Sequence, residues 1–284
     1  MTTSEEGLDT RALLRRTELA LAAAGCLSAA AEAELAISRL TAADPGLGRP
    51  SITRDELLLI EAYVDARRRG KPPHYILGGA EFMGRWIPLA AATYIPRPWS
   101  EAMVRRAIDL LGPATRPLTA VDLGTGSGAF AMCIADAVPG SEVWALDIDA
   151  AAVACARVNA ADQPTVHVAQ GDLFAPLPAE LAHRVDLVVA SLPYVPAADL
   201  AQLPRDYREH EPRVAHDGGD DGLAVDARAL SQAREWLRPG GHFLLELGQR
   251  QGPRLASVAS ELGYRATTVV TDEEGDDLFL ECVL

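Results

Sequence analysis

Two periodicities divide the chain. Between residues 8 and 70 apolar positions return at helical spacing, as Leu13, Leu14, Leu19 and Leu21 and then as Leu57, Leu58, Leu59, Ile60 and Val64. Residues three and four apart share one helical stripe, which predicts a small helical bundle whose stripes form its core. The turn-forming stretch Asp44-Pro45-Gly46-Leu47-Gly48-Arg49-Pro50 separates the two sets, and Thr53-Arg54-Asp55-Glu56 has the form of a helix N-terminus. From about residue 99 the pattern changes. Apolar runs at 118–123, 143–146, 166–168, 185–190 and 242–247 alternate with helix-like segments. This alternation predicts an α/β fold of βαβ units, a doubly wound parallel sheet with helices on both faces. Residues 72–98 carry prolines at 72, 73, 88, 96 and 98 and read as a connector, with a short hairpin expected around Phe82 to Tyr94. The expected boundaries are a helical domain at 1–85, a connector at 86–98 and an α/β domain at 99–284.

Composition narrows the chemistry. With 284 residues, 26 Lys and Arg against 40 Asp and Glu, the net charge is −14, which repels phosphate backbones and disfavours nucleic acid as substrate. The densest basic run, Arg67-Arg68-Arg69-Gly70-Lys71, reads as a solvated helix end. Cys26, Cys133, Cys155 and Cys282 share no short spacing and have no nearby His, so they predict buried thiols of a reducing compartment and no metal site. The acidic, polar start MTTSEEGLDT is unlike a signal peptide, and the Ala-rich stretch near residues 20–31 is too short and mixed to span a bilayer. A cytoplasmic location is expected.

The strongest chemical signal sits between the first two apolar runs of the α/β region. Leu118-Thr119-Ala120-Val121-Asp122-Leu123 runs into Gly124-Thr125-Gly126-Ser127-Gly128, and a helix-like segment follows. Glycines at alternate positions permit a tight strand-to-helix turn and let a ligand approach the backbone. The next run ends in Asp147-Ile148-Asp149, about 20 residues on, where a carboxylate suits two ribose hydroxyls. The third glycine of a dinucleotide fingerprint is absent, and Asp122 would repel a pyrophosphate. Asp122 would instead welcome the ammonium of an amino acid. S-Adenosylmethionine has that ammonium, a ribose and an adenine, and no phosphate. Asp172 and Leu173, after the third run, are placed to hold the adenine. The expected cofactor residues are Asp122, Gly124, Thr125, Gly126, Gly128, Asp147, Ile148, Asp172, Leu173 and Ser191.

The fourth run ends in Ser191-Leu192-Pro193-Tyr194. The chain resembles the release factor glutamine methyltransferases, the HemK- or PrmC-like enzymes, along nearly its whole length. "GKPPHYILGGAEFMG", "YIPRPWSE", "DLGTGSG", "ALDID", "GDLF", "HEPRVAHDGGDDGL" and "LLELGQRQ" follow in that family's order. The resemblance implies a seven-stranded sheet, an N-terminal helical domain that covers the acceptor site and recognises a protein substrate, and adenosylmethionine-dependent methylation of a glutamine nitrogen. It also implies catalytic roles for Ser191, Leu192, Pro193 and Tyr194. Pro96, Arg97, Trp99, Tyr194, Glu211 and Pro212 are expected to border the acceptor.

Three departures stand out. The family's tetrapeptide is usually Asn-Pro-Pro-Tyr, Trp99 occupies a usual glutamate position, and Leu278 a common arginine position. In the family the Asn oxygen and the next backbone carbonyl accept the two amide N–H groups, aiming the nitrogen at the sulfonium methyl. Leu192 keeps its carbonyl; Ser191 offers a shorter hydroxyl that can accept or donate. These changes leave open a small-molecule acceptor with a re-cut pocket, or a non-catalytic adenosylmethionine-binding protein. The retained glycine turn weighs against the second of these, and the retained N-terminal region against the first.

Overall fold

The computed structural model describes residues 9–41, 52–113 and 116–284, so the expected turn at 44–50 lies outside the described residues. Two compact units divide after Gly79.

The first unit contains α1 (Thr10–Ala23), α2 (Ala29–Leu40), α3 (Arg54–Arg68) and the short α4 (Pro73–Leu77). Asp9 caps α1 by accepting from the Ala12 amide at 2.7 Å. A capping box opens α3: Thr53 Oγ1 accepts from the Glu56 amide while Glu56 accepts from the Thr53 amide, at 3.2 and 2.8 Å. Leu13, Leu21, Ile60 and Val64 are buried with Ala33, Ala36 and Ile37 of α2. Leu19, Leu58 and Leu59 face solvent. Four consecutive apolar residues at 57–60 advance about 100° each, so they cannot all join one stripe. The basic run also differs from expectation. The Arg67 side chain is only 8% exposed, its Nε donating to Glu32 Oε1 at 2.6 Å, and the Tyr63 hydroxyl donates to the same oxygen at 2.9 Å.

The second unit takes in residues 86–98, expected as a connector, together with 80–85, expected in the helical domain. Its hairpin, β1 (Gly79–Phe82) and β2 (Arg85–Pro88), turns at Met83 and Gly84, both with positive φ. The remaining elements are α5 (Glu101–Leu111), β3 (Thr119–Leu123), α6 (Ala129–Ala137), β4 (Glu142–Asp147), α7 (Ala150–Asn159), β5 (Val166–Gln170), β6 (Val185–Ala190), α8 (Arg205–His210), α9 (Ala224–Trp236), β7 (Leu237–Glu246), α10 (Gly252–Glu261), β8 (Ala266–Thr271) and β9 (Asp277–Val283). The seven strands run in the order β5-β4-β3-β6-β7-β9-β8, parallel except for β9, which is antiparallel to both neighbours. Side chains alternate across the sheet with period two. Ala120, Leu187, Val189 and Leu244 pack with residues of α5 and α6, whereas Val121, Val188, Phe243 and Leu245 pack with α9 and α10. β6 is central and buried at all six positions, which explains its unbroken apolar run. Strand order reverses on the two sides of β3 and β6, and a doubly wound sheet binds ligands at the carboxyl ends flanking such a switch.

Candidate active site

At that switch point β3 enters the glycine turn. Gly124 has φ +71°, and a Cβ there would collide with the Ser191 backbone carbonyl. Gly128 has φ +84°, and a Cβ there would crowd Ala156 on α7. The turn is fixed from below by two carboxylates. Asp122 is fully buried in β3; one of its oxygens accepts from Thr125 Oγ1 at 2.6 Å and the Ala131 amide at 3.1 Å. Its other oxygen, Oδ1, has no partner. Burial pushes this carboxyl up to about 7, against its two hydrogen bonds. Asp147 ends β4 and accepts from the Gly126 and Asp149 amides, each at 2.9 Å. Burial raises its pKa as well.

One cavity collects most of the expected residues. Gly124, Gly126, Asp147, Ile148, Asp172 and Leu173 line one part; Ser191, Leu192, Pro193, Tyr194 and Pro212 line another. Ile148 is exposed, whereas Leu173 is buried with φ +49°. The Asp172 carboxylate is paired with Arg228 of α9. An adjoining small cleft is lined by Thr125 and Pro96, together with Gly124, Gly126 and Ser191. Asp122 and Gly128 lie beneath the turn rather than on the cavity wall.

Arg97 and Glu211, expected to border the acceptor, lie off the cavity wall. Both are buried, and Arg97 Nη2 donates to the two Glu211 oxygens at 2.6 and 2.7 Å. The guanidinium lies between the rings of Tyr94 and Tyr207, 4.6 and 3.9 Å from their centroids. His216 Nε2 lies 2.9 Å from Glu211 Oε2. Neither member of the ion pair lines the cavity; together they brace Tyr94, which does. Trp99 is partly exposed, but its Nε1 donates to Glu246 Oε1 at 3.1 Å.

Glu246 is the residue that sequence reasoning undervalued. It is almost wholly buried and also accepts from Ser100 Oγ at 2.8 Å. A usable signal existed: Glu246 ends a strand parallel to the one that Ser191 follows. Tyr94 and His216 lie within the quoted motifs but were not singled out, and Tyr207 carried no local signal.

Residues 120–210 match the family described as a methyltransferase domain. The release factor glutamine methyltransferase of Moorella thermoacetica is 39% identical over 218 residues, 75% of each chain. This chain belongs to the release factor glutamine methyltransferase family. That of Cereibacter sphaeroides is 33% identical over 271 residues, covering 93% of this chain and 94% of its own. A crystal structure of the hMettl16 catalytic domain in complex with MAT2A 3'UTR hairpin 6 matches with a TM-score of 0.57 at 14% identity, covering 83% of this chain and 84% of that one. That likeness is one of fold. The protein is thus a class I methyltransferase whose cofactor is S-adenosylmethionine. No helix among the described residues is long and apolar enough to cross a membrane.

Proposed function

We propose that the protein methylates the side-chain amide nitrogen of a glutamine in a release factor. The observation that carries this reading is a shared wall: Ser191, Leu192, Pro193 and Tyr194 line the same cavity as Asp147 and the glycine turn. When bound, adenosylmethionine supplies an electrophilic methyl on sulfur. The chain's own residues fit it. The unpartnered Asp122 oxygen suits the ammonium, and the bare Gly124 and Gly126 backbone lets the ligand lie close. Asp147, already fixed by two amides, accepts from the ribose hydroxyls. Ile148 and Leu173 enclose the adenine, with Asp172 at its edge.

On the acceptor side, the Leu192 carbonyl and Ser191 Oγ accept the two amide N–H groups, and Tyr194 walls the planar group. Pro193 keeps the loop stiff, while Pro96, Trp99 and Pro212 border the approach. Arg97 and Glu211 act through the tyrosines they hold. The N-terminal helical unit recognises the folded release factor, and the reaction takes place in the cytoplasm.

Transfer of labelled methyl to a purified release factor, run beside a metabolite extract, tests the acceptor. Label on a factor glutamine supports the proposal, and label confined to small molecules overturns it. Replacement of Ser191 refines the test. Ser191→Asn is expected to hold or raise the rate on the factor, whereas Ser191→Ala is expected to lower it ten- to hundredfold, about the loss of one hydrogen bond to developing charge.

A further inference from the structure

β6 ends at Ala190, and Ser191-Leu192-Pro193-Tyr194 continues beyond it. This tetrapeptide is anchored at both ends. The Ser191 amide donates to the Leu123 carbonyl at 3.2 Å. At the far end, the peptide unit joining Tyr194 to Val195 is held through both of its polar groups. Its N–H donates to the His216 carbonyl at 2.9 Å, and its carbonyl accepts from Gln251 Nε2, also at 2.9 Å. Gln251 is half-buried at the start of α10. Its Oε1 accepts from the Gly248 amide at 2.8 Å, and its Nε2 also reaches the Gly222 carbonyl at 3.4 Å. One side chain thus joins the tetrapeptide, the loop before α9 and the turn after β7.

We propose that Gln251 is a positioning residue for methyl transfer: by holding the Tyr194 carbonyl it fixes the Tyr194 ring against the acceptor. The inference rests on the reading that the tetrapeptide lines the acceptor site. A peptide unit is planar, so bonds to both its N–H and its C=O leave it little freedom to turn. On the other side, the Pro193 ring fixes its own φ. Tyr194 is thus confined from both directions. A proline at 192, usual in the family, would stiffen the segment further. Leu192 has no such ring, and the anchor at Gln251 carries more of the constraint.

Backbone packs directly behind these residues. A Cβ at Gly218 would collide with the Pro193 carbonyl, and one at Gly222 with the Tyr194 carbonyl. At Gly248 it would meet both the Gln251 side chain and the Tyr194 ring. Gln251 stands at the N-cap of α10, yet its side chain makes no capping bond; the Gly252 amide is served by Asp277 Oδ2 at 2.9 Å. Helix capping therefore does not account for a glutamine here. Substrate contact does not account for it either, since Tyr194 lines the cavity and Gln251 does not. Gln251 acts through Tyr194.

Two variants separate the bonds. Gln251→Met keeps the length and loses both. Gln251→Glu keeps an acceptor for the Gly248 amide but, ionised at about pH 8, cannot donate to the Tyr194 carbonyl. Both are expected to lose about tenfold in kcat, the scale of one neutral hydrogen bond. KM for the acceptor and adenosylmethionine affinity are expected to change less than about threefold. In a Tyr194→Ala background, Q251E is expected to cost less than about threefold, because the ring it misplaces is gone. Near wild-type kcat in Q251E, or an equal loss with and without the Tyr194 ring, overturns the inference. Loss of cofactor binding in both variants also overturns it, making Gln251 a staple of the fold. Rates are taken on whichever acceptor the wild type labels. Label confined to small molecules would refute the glutamine reading and leave this comparison to decide the role of Gln251.

Discussion

Asp122 is the residue whose chemistry depends most on where the fold puts it. Its carboxyl, ordinarily near 3.8, is raised to about 7 because burial outweighs the hydrogen bonds from Thr125 and Ala131. The folded form therefore binds a proton that the unfolded chain has already released between about pH 4 and 7. The group's contribution to stability is full below that window and is lost as pH rises through it. A cationic ligand reverses the preference, since an ammonium beside Oδ1 favours the ionised form. Without ligand, thermal unfolding followed from pH 5 to 7.5 should show a decline in stability that Asp122→Asn flattens. Adenosylmethionine affinity, measured by calorimetry, should rise between pH 5.5 and 7.5 in the wild type and stay level in the variant. The rise ends where the ligand's own amine loses its proton, near pH 8. A pH-independent affinity in the wild type would remove Asp122 from the ammonium site. Asp147 offers a second check: Asp147→Ala should weaken binding by about 1.5–3 kcal/mol, the scale of hydrogen bonds to a charged group.

The elements show why some of this was legible and some was not. The glycine turn and Asp147 could be read because a strand, a turn and the next strand end lie within the 29 residues 119–147. β6 was legible from burial on both faces. β8 was not, because ATTVVT alternates only between half-buried and exposed positions at the sheet edge. β7 starts at Leu237, ahead of Pro239-Gly240-Gly241 and of the apolar run at 242–247; its register against β6 shifts between Val185 and Leu187. The polar hubs were invisible for a different reason: Trp99 meets Glu246 across 147 positions, and Arg97 meets Glu211 across 114. Helix packing carries a hub of the same kind. Glu32 on α2 receives Tyr63 and Arg67 of α3, with the ion pair nearly dehydrated. Glu32→Ala would leave the Arg67 charge buried without its carboxylate. It is expected to destabilise the helical unit by about 3 kcal/mol in denaturant unfolding, far more than loss of an exposed pair such as Arg16 with Glu61. Equal, small effects at the two sites would show that α2 and α3 are held by their apolar residues alone.

At the scale of the whole molecule, the proposed function assigns separate tasks to the two units. Every residue assigned to the cofactor and to the acceptor nitrogen lies in the second unit, after Gly79. The first unit has its own core of Leu13, Leu21, Ile37, Ile60 and Tyr63, and none of its described residues lines the cavity. A methyl transfer to a free amide side chain requires nothing from it. A transfer to one glutamine in a folded protein needs a surface that selects that protein, and the proposed reading gives this task to the first unit, where Leu58 and Leu59 of α3 are exposed. With a net charge of −14 the chain gains no general attraction to nucleic acid, so selection rests on protein contact. Removing residues 1–78, which keeps the β1–β2 hairpin intact, should leave adenosylmethionine affinity within about threefold of wild type by calorimetry, a difference below 1 kcal/mol. Methylation of the intact release factor should fall by at least a hundredfold, with the loss appearing mainly in KM where a rate is measurable. A truncated protein that binds the cofactor and methylates the factor at the wild-type rate would show that recognition lies wholly in the second unit.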